Sequence, residues 1–352
     1  MSIIRNYNQV KEIYQEAGER EVGLPLFCCE DRQSLEAILA AAYEIGQEIG
    51  IPNIPIIPAW TSRYHVRGQA ALVSKTNDAR IGCQLMFSDL KIFTGENSPY
   101  KDLLVMPHLD HAFPWVDGDI LLDFADQFAS VMCDASEKPL DENIKLTAEY
   151  VEKVKGKVIV EGAVDEISST EGGLREKKTT IEEAERFVRE TGVDIIVPNV
   201  GTEHRSTKAS ASYDSELTRQ LSGAVGKILC LHGSSSIKRE DLPKLPKDGV
   251  IKINLYTALA YASGKAVVEY VIDNVGNVFR PEELEELVKA GKLGRTVLNA
   301  DYADTILPVG PKLTHFTNPL RRDVWFNTFK EKCKDYMYQF NYENFSKQIN
   351  LI

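Results

Sequence analysis

The sequence predicts an α/β chain, and within that class a closed (β/α)8 barrel folded as a single domain over residues 1–352. Three observations lead there. Short apolar runs recur eight times, each with the length of a strand buried on both faces. Segments with a 3.6-residue apolar period fill most of the gaps between them. Most of the chain's histidines fall just where those runs end, as they do when a barrel gathers its chemistry on one rim. Eight strands alternating with helices fit a closed barrel, although a doubly wound sheet would also alternate.

The strand candidates are GLPLFCC (23–29), IPIIPA (54–59), LLVMPH (103–108), ASVMCD (129–134), KVIVEG (157–162), DIIVPN (194–199), KILCLH (227–232) and VIKINL (250–255). Between them, 31–50 opens on an acidic cap and keeps an apolar face. The segment 139–156 has Pro near its start and Gly at its end, the usual helix asymmetry. Stretches 179–194, 212–226 and 281–292 read the same way. Residues 60–102 are polar and long, an insertion or helix-bearing connection between the second and third strands. From about 320 to 352 the chain is rich in Phe and Tyr, a terminal helical extension that must bury that face on the barrel or on a partner subunit.

Composition bounds the function. The 352 residues are 43% hydrophobic and 26% charged, with a net charge of −11. That balance argues against a general affinity for nucleic acid or anionic membrane, without excluding a phosphorylated small molecule. No apolar run approaches the ~18 residues that span a bilayer, and MSIIRNYNQVKE lacks the apolar core of a signal peptide. The six cysteines form no CxxC pair, and several sit inside apolar runs, which suggests reduced thiols in a cytoplasmic protein.

The strand ends carry the chemistry. The third ends in His108, Asp110 and His111, the fourth in Asp134 and Ser136. The fifth carries Glu161, followed by a loop with Glu166 and Glu171. The sixth leads to His204, the seventh to His232 and GSSS, the eighth to Asn254 and Thr257. His65 and His315 lie elsewhere. A lone strand-end histidine is more often a satisfied hydrogen-bonder than a ligand. Histidines from three strands on one rim are harder to explain so, and three with an open position make a familiar catalytic zinc shell. The small residues of HGSSS could cradle a phosphate, as loops after strands seven and eight of barrels do, or form a plain turn.

HLDH, FASVMCDASEKPLDENIKLT, TTIEEAERFVRETGVD followed by GTEH, LCLHGSSSI and IKINLYTAL resemble, in order, the motifs of the class II, metal-dependent ketose-bisphosphate aldolases. The likeness spans roughly residues 8 to 345. The resemblance implies His111, His204 and His232 as ligands of Zn2+, with Co2+ or Mn2+ as alternatives, and Asp110 as the catalytic carboxylate. It implies that Asp134 and Glu161 support the ligands by hydrogen bonding, and that Glu171, with Glu166 as competitor, shuttles a proton. Lys208, Ser234, Ser236, Asn254 and Thr257 would bind substrate, and the guanidinium of Arg205, a departure from the family pattern, could bind its phosphate or carboxylate. The implied reaction makes or breaks a C–C bond in a ketose phosphate through a metal-stabilised enediolate, in a homodimer or homotetramer.

Some positions depart from the family pattern. Arg205 stands where Gly is usual after the second histidine, and Tyr256 where an Asp is expected. Glu161-Gly162-Ala163 replaces Glu-x-Glu, the loop glycines are displaced to Gly172-Gly173, and Ser235 and Ser236 intrude in a Gly-rich loop. These touch the substrate pocket, so a metal-dependent ketose or uronate epimerase and a non-catalytic aldolase-like barrel stand as alternatives.

Overall fold

The computed structural model describes residues 2–65, 67–166, 177–202, 213–298 and 320–346. Eight parallel strands form its centre: β1 (Leu24–Cys28), β2 (Pro55–Thr61), β3 (His108–Ala112), β4 (Ser130–Cys133), β5 (Ile159–Ala163), β6 (Ile195–Val197), β7 (Leu229–Leu231) and β8 (Val250–Leu255). Each pairs with the next, and β1 pairs with both β2 and β8, so the sheet closes into a barrel. Every strand residue is buried, the signature of a parallel sheet covered by helices.

One strand differs from its expected bounds in a way that matters. The sequence places the third strand at 103–108, with His108 at its tip. Instead Leu104–Val105 only borders the start of β2, and the barrel strand begins at His108. Pro107 between them has no N–H to donate to a ladder, while its carbonyl accepts from Ala129 at 2.8 Å. His108 and Asp110 therefore lie within the barrel wall.

The helices follow their sequence signals. Arg32–Ile49 starts in a capping box between Asp31 and Ser34 and ends at left-handed Gly50. Ile181–Thr191 starts with the Thr180/Glu183 box and ends at left-handed Gly192. Leu140–Val154, Ser215–Val225 and Pro281–Lys289 fall inside the segments expected for them. The 60–102 connection holds a short helix, Gln69–Leu72, and a longer one, Ala79–Phe93. Gly82 lets these two touch: a Cβ there would lie 1.7 Å from the Ala70 carbonyl oxygen.

The chain divides into two compact units, residues 1–258 with 333–352, and residues 259–332. In the first, the end of helix Phe326–Gln339 and the turn after it bury Met337, Phe340, Tyr342 and Phe345. Each such side chain contributes about 1.5–3 kcal/mol. Lys334 meets Glu44 and Glu48, and the Tyr342 hydroxyl donates to the Pro55 carbonyl at 2.7 Å. The aromatic face thus packs on the barrel unit of its own chain. The second unit has a small core of Val275, Leu284 and Val297.

Candidate active site

Adjacent side chains on a strand normally point to opposite faces. Asp110 and His111 nevertheless line one cleft at the barrel mouth. Two linked features explain this. His111 has φ +44°, the left-handed region that non-glycine residues rarely enter. The β3–β4 register also shifts there: Leu109 pairs with Val131 but Ala112 with Cys133, so β3 carries one extra residue. This bulge turns the His111 ring back beside Asp110. His232 immediately follows β7, where left-handed Gly233 turns the chain. Ligand-capable atoms of Asp110, His111 and His232, all three buried, lie within 4.8 Å of one another.

Each histidine is held from behind. His111 Nδ1 lies 2.8 Å from Asp134 Oδ2, while Ser136 donates to the other Asp134 oxygen from its amide at 3.1 Å and its hydroxyl at 2.6 Å. With Nδ1 so engaged, Nε2 is the nitrogen that could hold a metal. His232 is turned the other way, with Nε2 at 3.2 Å from Glu161 Oε1 and 2.9 Å from Asn254 Nδ2. The two contacts ask opposite things of Nε2: the Glu161 carboxylate accepts from an Nε2–H, whereas the Asn254 amide donates to a bare Nε2, and only the tautomer that donates to Glu161 leaves a lone pair on Nδ1. A carboxylate behind a ligating histidine is the usual support of a metal site.

Beneath them lies a buried ion pair. Lys252 Nζ donates to Glu161 Oε2 at 2.6 Å and to Asn254 Oδ1 at 2.9 Å, and Asn254 Nδ2 donates to Asp110 Oδ1 at 2.9 Å. The chain Lys252–Asn254–Asp110 fixes the amide orientation and links barrel floor to cleft. Cys28 Sγ donates to Asp110 Oδ2 at 3.3 Å.

The electrostatics follow. Burial raises the Asp110 pKa, but His111, His232, His108 and Lys252 together outweigh it and hold the carboxylate ionised, well below its ordinary range. Glu161 is likewise held low, burial being overcome by Lys252 first and His232 next. For Lys252, burial works against the charge and is more than offset by Cys230 and Glu161, so its pKa rises. Burial pushes His232 down despite Glu161, which favours the neutral ring. At His111 burial is outweighed by Asp110 and Asp134, raising the pKa, so a cation must compete there with a proton. His108 bonds Ser130 Oγ at 2.7 Å, and burial, followed by Lys252, lowers it to about 3.

The structure brings Asp110, His111, His232, Ser234, Asn254 and Thr257 to the cleft. Ser235 lines it too, whereas the Ser236 hydroxyl donates to the Gly233 carbonyl at 2.7 Å. Asp134 and Glu161 sit behind the histidines, and Glu166 is half-buried on the loop after β5. His204, Arg205, Lys208, Glu171, Gly172, Gly173 and His315 lie outside the described residues. Several groups in and under the cleft stand apart from the sequence motifs. Tyr64 stacks on His111 at 4.7 Å, with His65 behind it, and Arg67 lies over the ring of Tyr256. Lys252 was the one with a readable signal, a lone cation in the otherwise uncharged strand VIKINL, which burial obliges to find a partner.

The family described as fructose-bisphosphate aldolase class-II matches residues 8–306. The chain belongs to that family. It is accordingly a lyase of the aldolase class. A fructose-bisphosphate aldolase of Staphylococcus epidermidis is 30% identical over 198 residues, covering 53% of this chain and 68% of the relative. A 6-phospho-5-dehydro-2-deoxy-D-gluconate aldolase of Shouchella clausii is 35% identical over 156 residues, covering 44% of this chain and 53% of the relative. The crystal structure of fructose-bisphosphate aldolase from Campylobacter jejuni superposes with a TM-score of 0.71 at 20% identity, covering 97% of this chain and 96% of that one. At that identity the likeness speaks for the fold alone. No helix among the described residues is long and apolar enough to cross a membrane.

Proposed function

We propose that this aldolase breaks and forms a carbon–carbon bond in a ketose phosphate and depends on Zn2+, with Co2+ or Mn2+ as possible substitutes. The observation that carries the reading is the pair Asp110–His111, aimed by one bulge at His232 within a single buried donor set. His111 and His232, with His204, would hold the metal. Two neutral-capable imidazoles, each backed by a carboxylate, suit a borderline cation such as zinc. The bound cation would polarise the ketone carbonyl and stabilise the charge left when the bond breaks.

The chain's own residues do the rest. Asp110 takes the proton from the hydroxyl next to the breaking bond, on the carbon that becomes the aldehyde. It is suited to that task because it is ionised, and because Asn254 and Cys28 orient its two oxygens. Glu171, or alternatively Glu166, returns a proton to the carbon of the ketone fragment. Such acid–base help contributes about 10^2–10^4-fold. Asp134 and Glu161 fix the tautomers of His111 and His232. Ser234, Ser236, Asn254, Thr257, Lys208 and Arg205 bind substrate, and a phosphate would sit against the loops after β7 and β8. A homodimer or homotetramer in the cytoplasm completes the proposal. The burial of all six cysteines as free thiols supports a reducing compartment.

Metal analysis paired with a coupled triose-release assay tests the reading. Fructose and tagatose bisphosphates, singly phosphorylated ketoses and uronates would be offered. The expected result is one zinc per chain and triose release that disappears in His232→Ala. Zinc without triose from any ketose would refute cleavage and turn attention to epimerisation.

A further inference from the structure

We infer that Arg67 determines specificity by binding an anionic group, phosphate or carboxylate, on the aldehyde half of the substrate. The inference rests on the aldolase reading and goes beyond it, because Arg67 belongs to none of the groups assigned above. It sits on the loop after β2. Its guanidinium carbon lies 3.4 Å from the centroid of the Tyr256 ring, and only 19% of the side chain is exposed. Tyr256 is itself anchored, its hydroxyl donating to Glu30 just past the end of β1. The cation therefore rests on a fixed aromatic floor, with the ring plane holding the fork flat.

What it lacks is a partner for its Nε donor. Arg67 Nε is buried and has no hydrogen-bond partner among the described residues. The carboxylate beside it, Asp110 Oδ2, is 4.0 Å from Nη2, beyond hydrogen-bonding range, and already accepts from Cys28. A buried Nε–H with no acceptor is costly unless something arrives to accept from it, and the planar fork of the guanidinium suits the oxygens of a carboxylate or phosphate. Position supplies the rest. Asp110 serves the hydroxyl that becomes the aldehyde, so Arg67 beside it faces that half. The loops after β7 and β8 lie with the ketone half.

The test runs the reaction in the condensing direction. Dihydroxyacetone phosphate is combined with glyceraldehyde 3-phosphate, with tartronate semialdehyde, or with uncharged glyceraldehyde. The wild type should prefer one anionic aldehyde, and which one distinguishes phosphate from carboxylate. Arg67→Gln should lower kcat/KM for that aldehyde about 10- to 100-fold more than for glyceraldehyde, the worth of a hydrogen bond to a charged group. Arg67→Lys should restore part of the preference. Equal loss for all three aldehydes would overturn the inference and leave Arg67 as a support of Asp110, and so would a wild-type preference for glyceraldehyde. Should the wild type condense no aldehyde, the aldolase reading fails separately. Calorimetry with inorganic phosphate and with glycerate then decides on Arg67: binding lost in Arg67→Gln sustains the anion site, and absent or unchanged binding refutes it.

Discussion

Replacing Lys252 by Met probes the barrel floor directly. Lys252 and Glu161 are both 0% exposed and meet at 2.6 Å. The substitution keeps the length of the stem but leaves Glu161 with a buried, unpaired charge and Asn254 Oδ1 without its ammonium donor. Removing one partner of a buried pair costs about 3–5 kcal/mol. Removing both charges, as in Lys252→Met with Glu161→Gln, should cost less than either single change, because a neutral amide beside a thioether is far cheaper to bury. The coupling in the double-mutant cycle should therefore exceed the cost of the larger single change, about 3–5 kcal/mol, in favour of the pair. Urea unfolding of the four proteins, stripped of metal, measures it. The double variant should also bind zinc about 10–100-fold more weakly, since an amide at 161 supports His232 less well than a carboxylate. If Lys252→Met costs under about 1 kcal/mol, or the two changes simply add, the pair does not organise the floor and the reasoning fails.

Three further outcomes are expected. Asp134→Ala should weaken zinc about 10–100-fold in chelator competition, because His111 Nδ1 loses its acceptor at 2.8 Å. His108, lowered from an ordinary histidine value to about 3, stays neutral when folded but protonates in the unfolded chain. Its contribution is therefore complete above pH ~6.5 and is lost as pH falls from there toward 3, by up to about 1.4 kcal/mol per pH unit. The slope of stability against pH across that window should be shallower in His108→Asn. Gly82→Ala should destabilise by about 2–3 kcal/mol in thermal or urea unfolding, because its Cβ would meet the Ala70 backbone, which cannot step aside as a flexible side chain would. A neutral effect would mean that the two helices of the β2–β3 connection separate freely.

The fold was legible because a parallel barrel writes each strand as an unbroken apolar run. VIKINL became β8 with the bounds its sequence suggests. At 103–108 the apolar run overstates the strand, because the missing N–H of Pro107 moves it forward to His108. The site was legible where a residue's meaning is local, as for histidines beside strand ends. It was opaque where meaning depends on a neighbour across the barrel. Nothing near Arg67 in the chain announces that it will rest on Tyr256, about 190 positions away in a sequence of 352 residues. Nor does HLDH announce a left-handed His111, since the neighbouring strand's register creates it.

That bulge has a consequence for how the site can fail. The spacing between Asp110 and His111 is set by covalent geometry within one dipeptide, whereas the spacing from either to His232 is set by packing across the barrel. Heat, drift in the helices or a cavity in the wall can widen the second gap while leaving the first almost untouched. Damage to this enzyme should therefore accumulate in a definite order. If His111 and His232 hold a cation as proposed, that grip loosens first, and the Asp110–His111 pair persists until β3 itself is lost. A weakened variant would then be recoverable by raising the concentration of metal rather than by rebuilding the site.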